Sequence, residues 1–251
     1  MLQAPLLGAI VWLAQLHQIP PENPLGHQQA GYIYQPAYCL DEVLREPARP
    51  YFPQPGDIVL PTDYNLFWTI GHNLALAGQP HHSGIVIALP DGRLGMLEAG
   101  PHDTIRCEIL DLAWNIQAYD EEGLVWVRRR AVPLTAEQSA NLTSFALAQD
   151  GKRFALARLA GQLTPLRSRG PIRTRLIGGP HGDRRAYFCS ELVTEACVAA
   201  GLLDPATTRP AATFPHDLFY DRSLNPYISK NMKLAPDWDP PARWSSTLPE
   251  K

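Results

Sequence analysis

The stretch that most restricts the fold is HHSGIVIALPDGRLGMLEAG, residues 81–100. Two apolar runs flank Pro-Asp-Gly, a pattern that folds back as a β-hairpin. Two polar residues sit in it out of character, His82 at the start of the first run and Glu98 near the end of the second. Loop length decides whether they meet. A two-residue turn at Asp91–Gly92 places Glu98 opposite Ile85, on the other face from His82. A three-residue loop, Pro90 to a left-handed Gly92, places Glu98 opposite Gly84, on the face of His82 and one diagonal step away. Diagonal neighbours lie roughly 7–8 Å apart, within reach of these side chains. Pro-Asp-Gly suits the three-residue loop with its bulge. The register therefore favours a His82–Glu98 pair, with Gly84 leaving room for close approach.

Around this hairpin the elements read more coarsely. PGDIVLP (55–61) is a short strand opened by a turn, and YNLFWTIGHNLALAG (64–78) has helical spacing ended by Gly78. A further strand pair is expected near 124–132. TAEQSANLTSFALAQDG (135–151) is a helix, with Thr135 and Gln138 forming a capping box and Gly151 ending it. RAYFCSELVTEACVAAG (185–201) is another, apolar at 189, 192, 193, 196, 197 and 200 and stopped at Gly201. Residues 17–55 read as ordered coil, and the Pro-rich last forty or so as a tail draped over the core. With no repeat and no clear linker, one domain is expected, its main body over 54–220. An N-terminal extension (1–53) precedes it and a tail (221–251) follows.

Charge and cysteine usage narrow the function classes. The net charge of −3 gives no reason to expect nucleic acid. From Lys152 to Arg185, however, nine basic residues stand against one acid, Asp183. That segment is either a solvated arginine-rich loop or a docking surface for anionic groups. The apolar run LLGAIVWLAQL (6–16) has eleven residues, too few to span a bilayer. No basic residue precedes it, so it lacks the opening of a secretory signal and reads as a packed or membrane-surface helix. Cell envelope and cytoplasm both stay open. The cysteines Cys39, Cys107, Cys189 and Cys197 form no C-x-x-C pair, so neither a zinc ribbon nor a disulfide framework is expected. Cys189 and Cys197, on one helix, lie roughly 12 Å apart, too far to bridge; a Cys39–Cys107 bridge is compatible with the sequence but unsupported by it.

Cys189 falls in the first turn of its helix. The helix dipole and the first-turn N–H groups there lower a thiol pKa and can hold a developing oxyanion. A nucleophile also needs a base and a group to orient it. His82 is the best-placed base, with His81 as its neighbour and alternative, and Glu98 is the orienter. Each residue also has a plainer role open to it: a buried hydrophobe, a satisfied strand-end histidine, an arginine's partner.

PGDIV, HHSGIVI, LEAG and YFCSELV, in that order, resemble the permuted NlpC-like cysteine hydrolases, the YiiX/YebB-like group. The resemblance covers roughly residues 54–220. It implies an α+β, circularly permuted papain-like fold, in which histidine and acid precede the cysteine. It also implies a Cys189–His82–Glu98 triad acting on an amide or ester of a cell-wall-type peptide or a lipid. It marks Asp57 in the first-strand entry, with Tyr64 and Ser190, as candidates for lining the substrate or oxyanion region, and FPHDLF (214–219) as a pocket-shaping segment. Its relatives include amidases and lipid enzymes like lecithin–retinol acyltransferase, so thiol acyl transfer is the first alternative and a non-catalytic binding module the second. Metal binding through His81, His82 and Cys189 lacks a ligand spacing. No cofactor, metal or transmembrane span is expected.

Overall fold

The computed structural model describes residues 28–35, 46–63, 70, 73, 78–162, 164 and 169–249. The apolar run at 6–16, most of the 64–78 segment with Tyr64, and Cys39 lie outside the described residues.

The architecture is mixed α+β. An eight-stranded, antiparallel sheet runs in the order β2-β1-β10-β7-β3-β4-β5-β6. Its strands are β1 (Tyr32–Tyr34), β2 (Arg49–Pro50), β3 (Ile58–Asp63), β4 (Gly84–Ala88), β5 (Leu94–Ala99), β6 (Cys107–Asp111), β7 (Gly123–Arg128) and β10 (Ala242–Ser245). A short parallel pair, β8 (Arg153–Phe154) and β9 (Ala186–Tyr187), stands apart. The helices that frame the site are α1 (Leu112–Glu122), α2 (Ala136–Gln149) and α5 (Cys189–Ala199). The remaining α-helices described are α3 (Leu156–Gly161), α4 (Pro171–Ile177), α6 (Pro215–Tyr220) and α7 (Pro226–Asn231).

The hairpin is apolar on both faces because both are covered. Ile85, Ile87, Leu97 and Ala99 pack with Leu142, Phe145, Leu192, Val193 and Ala196, the inward residues of α2 and α5. Val86 and Met96, on the other face, pack with Leu112, Ile116 and Tyr119 of α1. At roughly 25 cal/mol per Å² of apolar surface removed from water, this double covering fixes the register against slippage. The loop is the three-residue form: Leu89 and Arg93 close it, Leu89 N–H donating to the Arg93 carbonyl at 2.8 Å, and Gly92 is left-handed at φ 87°. Gly84 accordingly pairs with Glu98. α2 forms where expected, with both capping-box hydrogen bonds at Thr135 and Gln138.

Two regions differ from the expected coil. Within 28–53, β1 and β2 are strands. Near the C-terminus, β10 lies between β1 and β7 in the sheet. Short strands of mixed composition lack a period-2 signature, so their partners define them. The buried Arg128 guanidinium binds the connection before β10, donating to the Leu218 and Asp239 carbonyls at 3.0 and 3.1 Å and to Asp221 at 3.0 Å. Trp238 Nε1–H donates to the Gly56 carbonyl at 2.8 Å. The strand expected near 124–132 pairs with β3 and β10. Cys107 is a free, buried thiol, so it makes no bridge.

Asp57 is fully buried and accepts from Arg130 N–H (2.7 Å), Tyr51 O–H (2.8 Å) and Gln54 N–H (3.1 Å). It ties the entry of β3 to the end of β7. Burial lifts its carboxyl from 3.8 to about 7, against the pull of those three hydrogen bonds. Between about pH 4 and 7 the folded protein therefore holds a proton that the unfolded chain has lost. Stability falls as pH rises through that window. Asp57→Asn is expected to flatten the pH slope of the unfolding free energy by up to about 1.4 kcal/mol per pH unit, read by urea denaturation. An unchanged slope would mean that Asp57 stays ionised.

Candidate active site

Cys189 is the first residue of α5 and is 8% exposed. Phe188 precedes it and offers no side-chain cap. Glu191 reaches back instead, accepting from the Phe188 N–H at 3.4 Å. A phenylalanine at the cap position leaves the first turn without a competing side-chain acceptor, so its N–H groups and dipole act on the thiol. The Ser190 N–H is directed at the Cys189 sulfur.

His82 lies just before β4, its ring Nε2 2.8 Å from Glu98 Oε2. Its side chain also hydrogen-bonds with Cys189, for which Nδ1 is the nitrogen left available. The strand parities explain the arrangement. Glu98 shares the face of Met96, covered by α1, whereas α5 covers the opposite face. His82, at the open end of the strand, bridges the two. Ser83, of opposite parity, is buried on the α5 side, where it lies near the Cys189 sulfur.

Burial alone would push the Cys189 thiol up; the facing His82 charge and the polar groups of His82, Ser83 and Ser190 around the sulfur outweigh it and hold the thiol below its ordinary value. Burial alone would likewise push His82 down; the Cys189 sulfur and Glu98 outweigh it and raise the imidazole. Both shifts describe one state, a thiolate beside an imidazolium. By contrast, burial pushes the Cys107 and Cys197 thiols up to about 12. Among the described cysteines, only Cys189 is activated.

Glu98 is fully buried, and both its oxygens are taken. Asn115 Nδ2–H donates to Oε1, while the Tyr119 hydroxyl donates to Oε2 at 2.8 Å alongside His82. Burial, then the Glu98 charge, lift the Tyr119 hydroxyl well above its ordinary range, so it stays a donor. Behind them, His102 Nε2 lies 2.7 Å from Asn115 Oδ1, and its ring stacks on Tyr119 at 4.5 Å. Since Asn115 donates to Glu98, His102 must donate to Asn115. His102 holds a left-handed backbone, φ 43° and ψ 48°, costly for a non-glycine residue and stabilised here by those contacts. Sequence reasoning missed Asn115, Tyr119, His102 and Ser83. A signal existed for two of them: Asn115 and Tyr119 sit with Leu112 and Ile116 on the buried stripe of α1, where an amide is out of place.

Of the other expected site residues, Ser190 is buried with its hydroxyl donated to the Thr213 carbonyl at 2.7 Å, so its backbone and not its side chain faces the sulfur. Asp57 serves the β3 turn described above. His82, not its neighbour His81, holds Glu98. Much of the basic segment is turned inward. Arg158 grips both oxygens of Glu191 on α5 at 2.6 and 2.8 Å, and Arg184 lies 3.2 Å from the same carboxylate. Arg169 pairs with Asp217 at 2.6 Å, and Lys152 with Asp183. FPHDLF is capped by that Asp217, which accepts from the Phe214 N–H at 2.8 Å. Among the described residues, no group of three or more His, Cys, Asp or Glu side chains is placed to hold a metal ion.

The geometry predicts a measurable reactivity. Iodoacetamide should alkylate Cys189 at pH values where an ordinary thiol, pKa about 8.5, is protonated. His82→Ala should move the midpoint of the rate–pH profile up toward that value, with the site assigned by mass spectrometry. A wild-type midpoint at the ordinary value would remove the thiolate–imidazolium pair.

No family model matches the chain, and no curated protein matches it. Among solved structures it is similar to one described as the metalloprotein yiiX from Escherichia coli O157:H7. The identity is 19%, over 78% of this chain and 99% of that one, with a TM-score of 0.45. At that level the likeness assigns neither a reaction nor site residues to this chain.

Proposed function

We propose that this protein is a cysteine hydrolase of circularly permuted papain-like fold, cleaving an amide or ester bond through Cys189, His82 and Glu98. One observation carries the reading: a cysteine at an uncapped helix N-terminus, its thiol lowered, hydrogen-bonds with a histidine whose other nitrogen is held by a buried carboxylate. The order of the three along the chain, histidine and acid before cysteine, is the permuted one.

In this reading, Sγ of the Cys189 thiolate attacks the carbonyl carbon. A C–S bond forms and the carbonyl electron pair moves onto oxygen, stabilised by the Cys189 N–H at the start of α5. Collapse expels the amine or alkoxide, which takes its proton from the His82 imidazolium. Water then attacks the thioester, His82 accepts its proton, and the carboxylate product leaves the thiolate restored. Glu98 keeps Nδ1 of His82 aimed at the sulfur, and Asn115 and Tyr119 keep Glu98 in place. An amine or alcohol in place of water would make the same site an acyltransferase. Assays with and without an added amine separate the two by the product formed.

Two substitutions test this on a panel of p-nitrophenyl esters and peptide amides. Cys189→Ala should abolish turnover with an unchanged circular dichroism spectrum. Glu98→Gln is the sharper test. With its carbonyl accepting from Asn115, its NH₂ faces His82 and forces the proton onto Nδ1, the wrong tautomer for a base. A loss on the order of 10⁴-fold in kcat is expected with a smaller change in KM. Retained turnover in Cys189→Ala would sink the proposal.

A further inference from the structure

Helix α4, PIRTRLI, is amphipathic the wrong way round for a helix packed on a core. Its inward residue is polar: Thr174 is fully buried, and its hydroxyl accepts from Asn225 Nδ2–H at 2.6 Å. At about 100° per residue, positions two before and two after the anchor lie nearly opposite it. Those positions are Ile172 and Leu176, 72% and 74% exposed. Arg173 and Arg175, one step either side of Thr174, flank this apolar ridge on its two sides. Ile177 (53% exposed) extends the ridge. Leu224 (72% exposed), next in the chain to the Asn225 that holds Thr174, adds a further apolar side chain.

An outward aliphatic ridge between two arginines has a specific complement. Water gains nothing from Ile172 and Leu176, and an apolar protein groove gains nothing from the arginines. The boundary between acyl chains and anionic headgroups accepts both, with the aliphatic tips inserted and the guanidinium groups reaching sideways to phosphate. The surrounding charge agrees. No acid occurs between Asp150 and Asp183 in the sequence. Arg158, Arg169 and Arg184 are held by Glu191 and Asp217, whereas Arg173 and Arg175 form no ion pair among the described residues. No helix of the described residues is long and apolar enough to cross a membrane, so the contact would lie in the plane of the surface.

We infer that α4 is a peripheral membrane-docking element that seats Ile172 and Leu176 in an anionic lipid surface with Arg173 and Arg175 on its phosphates. The inference does not depend on the reaction at Cys189. It does place that reaction close to a bilayer: α4 packs on the turn at 210–212, and that turn packs on α5.

The test is co-sedimentation of the full chain with vesicles of equimolar phosphatidylglycerol and phosphatidylcholine, and with phosphatidylcholine alone. Wild type should pellet with the anionic vesicles and be released as salt rises. Ile172→Glu/Leu176→Glu should lower the partition coefficient by at least about tenfold. Arg173→Gln/Arg175→Gln should lower it about fivefold per arginine and blunt the salt dependence. All four positions are off the core, and circular dichroism checks that the variants fold. Ile172→Ser/Leu176→Ser, which adds no charge, should weaken binding in the same direction. No binding by wild type overturns the inference. Equal binding by the ridge variants overturns it too and moves the contact to another part of the chain. A concentration-dependent dimer in light scattering that the ridge variants abolish would assign the ridge to a second copy instead.

Discussion

The pairing of Gly84 with Glu98 is the constraint from which the candidate site follows. A slip of one residue in this hairpin would turn every side chain of β5 to the opposite face, put Glu98 under α5 and leave His82 without its carboxylate. Two features prevent the slip. The Pro-Asp-Gly loop with a left-handed Gly92 sets the count, and an apolar core on each face sets a cost for any other count. Gly84 is part of the same constraint, since a Cβ there would come within 2.8 Å of Met96 Cγ.

A buried carboxylate is costly unless its oxygens are satisfied. Glu98 meets that cost with three donors from two parts of the chain: His82 before β4, and Asn115 and Tyr119 on α1. The cost is also why α1 carries polar side chains on its inner stripe. The same logic governs the outer side of the cysteine helix. Glu191 and Glu195 of α5 are buried, and the chain before β9 is tied to them, through Arg158 and Arg184 for the first and the His181 and Gly182 N–H groups for the second. The arginine-rich segment is thus partly a clamp holding the cysteine helix. Part of the charge left over sits on α4, whose anchor is a hydroxyl and whose outer face is aliphatic.

The hairpin, α2 and α5 were legible because each is local. A loop residue count, a capping box and a 3.6-residue apolar period are written in consecutive residues. The strands at 32–34, 49–50 and 242–245 were not. Two to four residues carry no usable period, and β10 exists because β1 and β7 offer it two edges from distant parts of the chain. Asp57 stood as a candidate for the site because an acid at a strand entry suits either role. Its three donors place it in the turn.

By itself the sequence determined which residues could do chemistry and in which register two of them would meet, since His82 and Glu98 share one hairpin and a strand's faces alternate with period two. Only the tertiary structure decided that Cys189 joins them, that Asn115 and Tyr119 complete the hydrogen bonds of Glu98, and that Ser190 presents its backbone rather than its hydroxyl. Those partners come from separate helices and strands, and no spacing along the chain encodes which buried donor will face which buried acceptor. Packing against a shared sheet settles that, because each unsatisfied group would cost on the order of 1–3 kcal/mol.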